Sequence, residues 1–203
     1  MKDPKIFWQW FQDHNEQLMQ IDDLSPEASE KLLLELNEQL TQFSAGASFE
    51  IGDLTPQGRT FLLTAEGDTD YFADIQALYD TAPETDWWNI EAFRPAKGSR
   101  TYVIYEGVRY DSRNYYFVPM ENPENPKQIG ITVGVKHHNP KDENQLFGIF
   151  TLIESMLGEY DCGTLLGFLD TAPLPNNLEN SDFIPLEKLP DFVAWHLAKQ
   201  STE

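Results

Sequence analysis

Apolar residues recur at helical spacing through the first quarter of the chain, behind two proline-containing cap signals. Asp3-Pro4 and Ser25-Pro26 each place an N-cap residue before a proline at the first helical position. After each cap signal, apolar residues recur at spacings of three and four, so each of the two segments has one apolar stripe. The stripes consist of Phe7, Trp10, Phe11, His14, Leu18 and Ile21, and of Leu32, Leu33, Leu36, Leu40 and Phe43. Two amphipathic helices joined by a short link predict an N-terminal α-hairpin.

The pattern changes after Gly46, where runs of β-branched and aromatic residues predict strands. The predicted strands are 48–52, 59–65, 87–93, 101–105, 115–120, 129–135 and 164–169. Helices are predicted over 67–81, from Asn139-Pro140 to a stop at Gly158, and over 190–199. In the second of these helices we expect the inward positions to be Leu146, Phe147, Phe150, Ile153 and Leu157.

Strands grouped in runs, rather than alternating strictly with helices, indicate the α+β class. We predict a single α+β domain over residues 1–203, in which a helical hairpin of residues 1–45 packs on residues 46–203. Its sheet is expected to be mainly antiparallel, with about six or seven strands flanked by helices. Segments 72–93 and 147–168 share a helix-to-strand pattern that begins and ends on Phe, which suggests a pair of β-β-α-β units in one sheet. Chance similarity and true duplication both remain open.

Charge narrows the classes of partner. The chain holds 34 Asp+Glu against 14 Lys+Arg, for a net charge of −20. Such a chain repels phosphate backbones and anionic membrane surfaces, so we expect neither nucleic acid nor membrane as a partner. A composition of 40% hydrophobic and 13% aromatic residues argues against disorder. The acid is therefore expected on the surface of folded elements.

Compartment and redox state follow from what the sequence lacks. Cys162 is the single cysteine, so no disulfide within the chain is possible. The sequence has neither the apolar run of a secretory signal nor that of a membrane span. These observations predict a cytoplasmic protein.

Three groups of residues are candidates for metal binding or catalytic chemistry. His137 and His138 stand at a strand end and are weak candidates for a metal site, although surface histidines are commoner there. Cys162 has acidic neighbours, which favours a buried structural thiol over a nucleophile. Two acidic groups could bind a divalent cation or act as acid and base, but turn, cap and solvated residues are the simpler interpretation. They are Glu66, Asp68 and Asp70, and Glu84 and Asp86. No catalytic residue and no cofactor are predicted.

Aromatic and paired charged residues supply the candidate binding positions. Trp8 falls off the apolar stripe of its helix, and adjacent Trp87 and Trp88 on a strand point to opposite sheet faces. At least one tryptophan is then either exposed, as at an interface, or covered by a helix. Arg94 is expected to pair with Glu50 or Glu159, or to bind an anionic group. The candidate binding residues are Trp8, Trp88, Arg94, Glu50 and Glu159.

Several short motifs together carry a loose resemblance that extends over most of the chain. They are Phe7-Trp8-x-Trp10-Phe11, Phe49-Glu50-Ile51-Gly52, Trp87 followed by Ala92-Phe93-Arg94-Pro95, and Leu157-Gly158-Glu159. With these motifs the chain resembles small bacterial proteins of unknown function. The resemblance implies a bacterial cytoplasmic origin, and it carries over neither an activity nor a site residue.

Two functional hypotheses from different classes follow. The favoured one is a non-enzymatic acidic binding protein, immunity- or inhibitor-like, that engages a basic protein partner, because complementary charge speeds association and suppresses wrong partners. The alternative is an enzyme of unfamiliar type that uses carboxylates and His137 or His138, with a metal ion in one version. The sequence leaves the partner, the substrate and the oligomeric state open.

Overall fold

The computed structural model describes residues 3–122 and 125–200 of the chain, which form an α+β protein as predicted. Its helices are α1 Pro4–Asp13, α2 Asn15–Met19, α3 Pro26–Phe43, α4 Phe72–Tyr79, α5 Glu143–Leu157, α6 Glu159–Leu165 and α7 Leu189–Gln200. Its strands are β1 Ser48–Ile51, β2 Arg59–Thr64, β3 Trp88–Ala92, β4 Tyr102–Tyr105, β5 Val108–Asp111, β6 Tyr116–Glu121, β7 Ile129–Val135, β8 Leu166–Pro173 and β9 Ile184–Pro185. No helix in the described part has both the length and the apolar character needed to cross a bilayer.

Contacts divide the chain into two compact units, with the boundary between Arg94 and Pro95. The first unit contains a three-stranded sheet in the order β1-β2-β3, in which β1 and β2 are antiparallel and β2 and β3 are parallel. Helix α4 forms the crossover between the parallel strands, as a parallel connection requires. Buried residues of α1, α3, α4, β2 and β3 form one continuous apolar core.

The predicted first helix is interrupted at His14. This residue has φ −108° and ψ 4°, outside helical geometry, and its Nδ1 lies 2.8 Å from the carbonyl oxygen of Trp10. The apolar stripe nevertheless continues through α2, because Leu18 and Ile21 are buried in the same core as Phe11. Periodicity therefore predicted Phe7, Phe11, Leu18 and Ile21 correctly as buried positions, whereas Trp10 and His14 are only partly buried and the break was not predicted.

The second unit contains a four-stranded sheet in the order β8-β7-β6-β9 and a two-stranded sheet of β4 and β5. Strands β6 and β7 are antiparallel, whereas β7 and β8 are parallel and connected through α5 and α6. Each unit thus contains one β-β-α-β arrangement, as suggested by segments 72–93 and 147–168. The two arrangements lie in separate sheets, however, so the expectation of one shared sheet of six or seven strands was wrong. The prediction of a single domain over residues 1–203 stays a prediction.

The sequence does not predict strand β5, because the strand is only four residues long, Val-Arg-Tyr-Asp, and two of the four are charged. The strand is formed through a two-residue turn at Glu106 and Gly107, which both adopt positive φ, at 48° and 75°. Two positive φ values are the signature of the tight hairpin turn that suits the twist of paired strands. The turn pairs Tyr105 with Val108.

The chain after β7 differs from the prediction at three places. Helix α5 begins at Glu143 and is capped by Asp142, whose carboxylate accepts a hydrogen bond from the Gln145 backbone N–H, so Asn139-Pro140 is not its cap. The predicted stop at Gly158 is confirmed, since this residue follows the last helical residue, Leu157, and has φ 84°. Helix α6 then occupies 159–165, and the strand predicted from 164 begins at Leu166.

The inward face of α5 also differs from the predicted stripe. Leu146, Phe147 and Phe150 are exposed by 37%, 52% and 39%. The positions that enter the core are Ile149, Leu152, Ile153, Met156 and Leu157. The helix carries apolar residues on more than one face, so spacing alone could not identify the buried one.

Candidate functional site

A strongly exposed tryptophan lies immediately before β3 in the first unit. Trp87 is 62% exposed, whereas the adjacent Trp88 is only 6% exposed. Alternation along the extended chain turns the two rings in opposite directions. Trp88 packs edge-to-face on Phe11 with 5.2 Å between ring centroids, and its Nε1 donates a hydrogen bond to Asn15 Oδ1 at 2.5 Å. One ring is therefore part of the core, and the other is presented to solvent.

The backbone that carries Trp87 is fixed on both sides. Its carbonyl oxygen accepts a hydrogen bond from the Arg59 N–H at 2.9 Å. The Thr85 hydroxyl accepts from the Trp88 N–H at 3.1 Å and donates to the Trp88 carbonyl at 2.9 Å. Gly58 lies so close that a Cβ added there would stand 2.2 Å from the Trp87 carbonyl oxygen. The exposed ring is thus held on a defined backbone.

Beside Trp87 is a cavity of about 330 Å³, which we call the Trp87 cavity. It is lined by Phe11, Gln12, Asn15, Glu84, Thr85, Asp86, Trp87 and Trp88. None of these lining residues is basic, and both acids are exposed. Aromatic faces attract cations, and carboxylates accept hydrogen bonds from ammonium and guanidinium groups. The lining is therefore suited to a cationic group.

The acid of the chain is concentrated in the unit that holds this cavity. Residues 1–94 contain 19 Asp+Glu against 5 Lys+Arg, whereas residues 95–203 contain 15 against 9. Three of the five basic residues are already in ion pairs: Lys31 with Glu35, Arg59 with Asp22, and Arg94 with two acids. The first unit, which holds the Trp87 cavity, consequently carries most of the net negative charge of the chain.

Two of the sequence-derived candidates prove to be core residues. Trp8 is 4% exposed, and its Nε1 donates to the Leu78 carbonyl oxygen at 2.9 Å. Its ring packs edge-to-face on Phe7 and Phe11. The buried face of α1 is therefore wider than the apolar stripe predicted from the sequence. Trp88 is buried as described above. Neither ring is available on the surface, and the exposed position is Trp87, which alternation identified only as one of two choices.

Arg94 bridges two acidic side chains of the first unit. Its Nε donates to Glu50 Oε1 at 2.5 Å, and its Nη2 donates to Glu66 Oε2 at 2.7 Å. Desolvation acts to lower the pKa of Arg94, but its hydrogen bonds and the charges of Glu66 and Glu50 outweigh this and raise the pKa. The expected pair with Glu50 is thus present, with Glu66 as a partner that the sequence did not indicate. Glu159, the other predicted partner, is 1% exposed at the start of α6.

The candidates for metal binding and nucleophilic chemistry, His137, His138 and Cys162, do not form a reactive cluster. His138 Nε2 lies 3.2 Å from the Thr171 hydroxyl, and the described ranges hold no group of three metal-ligating side chains around it or His137. Cys162 is 2% exposed and lies on α6. Burial raises the pKa of its thiol to about 12, so the thiolate that a nucleophile requires is not populated at neutral pH.

The chain was also compared with known proteins. No protein-family model, no curated protein and no solved structure matches it. Its function is therefore inferred from the geometry and chemistry of its surfaces.

Proposed function

We propose that this protein is a non-enzymatic binding protein whose acidic first unit engages a basic protein partner, in the manner of an immunity or inhibitor protein. The observation that carries the proposal is Trp87, an exposed ring on a fixed backbone, which lines a cavity together with Glu84 and Asp86 and without any basic residue. In this proposal an arginine or lysine side chain of the partner enters the Trp87 cavity. Its cationic head contacts the ring and the two carboxylates.

The two features act at different stages of association. The excess of acid over residues 1–94 steers a basic partner toward the first unit and accelerates encounter, and this contribution weakens as salt rises. Trp87 then supplies a large apolar contact that salt does not screen, and exposed tryptophans are frequent energetic centres of interfaces. Charge alone would favour any polycation, so the ring is what makes the surface selective.

The enzymatic alternative, with carboxylates and a histidine around a cleft, stays a prediction. His137 and His138 lie in the second unit, and the cavity described here contains no histidine. No observation on the described residues favours this alternative over binding.

The proposal is tested with a pair of matched peptides in a calorimetric titration. One peptide carries several arginines, and in the other each arginine is replaced by citrulline, which keeps the shape and removes the charge. We expect the arginine peptide to bind and the citrulline peptide to bind at least about tenfold more weakly. Trp87→Ala should weaken binding of the arginine peptide about tenfold, and Glu84→Gln with Asp86→Asn should do so by about the same factor.

Matched control variants separate the cavity from general charge. Glu27→Gln with Glu30→Gln removes two exposed acids from α3, and Trp195→Ala removes an exposed tryptophan of the second unit. Both controls should change the affinity less than about twofold. Equal losses from the two acidic double variants, or equal binding of the two peptides, would show that no specific site exists at Trp87.

A further inference from the structure

A second lined cavity lies in the other unit, and it does not depend on the Trp87 cavity. It is a groove of about 460 Å³ between α7 and the end of the β6 strand, which we call the α7 groove. Phe192, Trp195 and Lys199 contribute one face of it from α7, because residues three and four positions apart lie on the same side of a helix. Met120 and Glu121 contribute the opposite face from β6.

The α7 side of the groove is an ordered set of aromatic rings. Phe192 rests on the buried ring of Phe117, with centroids 5.9 Å apart, and Trp195 packs on Phe192 at 5.5 Å. Trp195 is nevertheless 57% exposed. The Lys199 ammonium lies 5.7 Å from the centroid of the Trp195 ring. An exposed flat ring is thus supported from the core on one side and bordered by a positive charge on the other.

The opposite side of the groove combines a deformable apolar side chain, Met120, with the carboxylate of Glu121. Met120 is 45% exposed, and its sulfur accepts a hydrogen bond from the Thr132 hydroxyl at 3.2 Å. Methionine side chains adapt their shape and make favourable contacts with aromatic rings. The accessible surface of the groove is mostly apolar, although half of its lining residues are polar or charged, and its volume lies in the range of small-molecule sites. A planar ring inserted between Met120 and Trp195 would meet apolar surface on both faces.

The geometry points to a small planar aromatic anion as the ligand of the α7 groove. We propose that the ring of such a ligand stacks on Trp195 and that its carboxylate or equivalent anionic group pairs with Lys199. Lys199 lies over the Trp195 ring, and no salt bridge between described residues involves it, so its ammonium is the positive group that the groove offers to a ligand, opposite Glu121.

An extended peptide added to the β6 edge fits this groove less well. The Leu186 N–H donates to the Tyr115 carbonyl oxygen, so alternate residues from Tyr115 onward, including Pro119, direct their backbone polar groups to the open edge. Proline has no N–H to donate at that edge. Strand β9 pairs only with Tyr116 and Phe117, and beyond it this proline blocks the continuation of a regular ladder. A compact ligand that uses side chains is therefore favoured.

The inference is tested on the full chain with three naphthalene probes in calorimetric titrations at physiological salt. The probes are 2-naphthoate, 2-naphthylmethanol and 2-naphthylmethylammonium, which share one ring system and differ in charge. We expect 2-naphthoate to bind at least about fivefold tighter than the alcohol, and the ammonium compound to bind most weakly. Lys199→Gln should reduce 2-naphthoate binding about fivefold and leave the alcohol unchanged.

The ring contact is tested with two substitutions at one position. Trp195→Ala should weaken all three probes about tenfold, and Trp195→Phe should restore most of the loss because it retains a stacking surface. Lys136→Gln, which removes an exposed lysine of the same unit outside the groove, is the matched control and should change nothing. Circular dichroism establishes that each variant is folded.

Three results would overturn the inference. The first is the absence of measurable 2-naphthoate binding. The second is binding of the alcohol or the ammonium probe that equals or exceeds the binding of 2-naphthoate. The third is unchanged 2-naphthoate affinity in Lys199→Gln or Trp195→Ala. Tighter binding of the ammonium probe would assign the groove to cations through Glu121 instead. None of these results bears on the Trp87 cavity, since that cavity lies in the first unit.

Discussion

Gly58 shows how a single backbone position controls the candidate site. It has φ 106°, in a region that residues with a Cβ rarely adopt, and its Cα hydrogen faces the Trp87 carbonyl oxygen. The neighbouring Arg59 N–H holds that same carbonyl at 2.9 Å. A side chain at position 58 would therefore push directly against the peptide unit that orients the exposed ring.

We expect Gly58→Ala to lower the free energy of unfolding by about 2–4 kcal/mol, because the strain of positive φ adds to the contact with Trp87. Gly67→Ala is the matched control, since Gly67 has φ 81° and no atom within 4 Å of an added Cβ. It should cost about 1 kcal/mol from backbone strain alone. Chemical denaturation measures both values, and equal losses would show that the contact with Trp87 has no energetic weight.

At the residue scale, the adjacent tryptophans Trp87 and Trp88 show which property the sequence could not predict. Alternation predicted that Trp87 and Trp88 face opposite ways, and it could not decide which ring the core would cover. The choice is made by residues distant in the chain, since Phe11 and Asn15 contact the Trp88 ring. The burial of Trp8 also depends on a distant residue, because the hydrogen-bond acceptor of its indole is the carbonyl oxygen of Leu78.

At the scale of elements, helix α5 shows that an amphipathic sequence pattern does not by itself identify the buried face of a helix. Its sequence carries large apolar residues at adjacent positions, so two overlapping stripes fit helical spacing. The core covers the stripe that contains Ile149 and Leu152, both fully buried, and leaves Phe147 and Phe150 partly exposed. Gly148 marks the contact with the β4–β5 sheet, because a Cβ there would lie 2.2 Å from the Tyr110 ring.

Two substitutions on α5 distinguish the predicted face from the observed one. Leu152→Ala should lower the free energy of unfolding by about 2–5 kcal/mol, because it leaves a cavity in the core of the second unit. Phe147→Ala, on the face that the sequence indicated, should cost less than about 1 kcal/mol because its side chain is half exposed. Urea denaturation measures both, and the reverse order would support the stripe expected from the sequence.

At the scale of the whole molecule, each unit has its own apolar core and its own sheets. The core of the first unit contains residues from Phe7 to Phe93, and that of the second contains residues from Tyr110 to Val193. All strand pairs of the described residues lie within one unit or the other. The charge is also unequal, with 19 of the 34 acids and only 5 of the 14 basic residues in positions 1–94.

These features predict that a chain of residues 1–94 folds by itself. It should unfold cooperatively, and its stability should rise with salt because ions screen the repulsion among its acids. A chain of residues 95–203, with 15 acids and 9 basic residues, is the control and should respond less to salt. Circular dichroism with thermal unfolding measures both effects. Non-cooperative unfolding of 1–94 at every salt concentration would instead support the single domain that the sequence predicted.

The sequence by itself determined the class of this protein and most of its elements. Helical spacing, cap residues and β-rich runs are local signals, so they predicted α3, β7 and the two β-β-α-β arrangements without knowledge of the fold. The tertiary structure alone decided how the strands are divided among three sheets, which face of α5 is buried and which tryptophan is exposed. These outcomes depend on contacts between residues far apart in the chain, and local periodicity carries no information about such contacts.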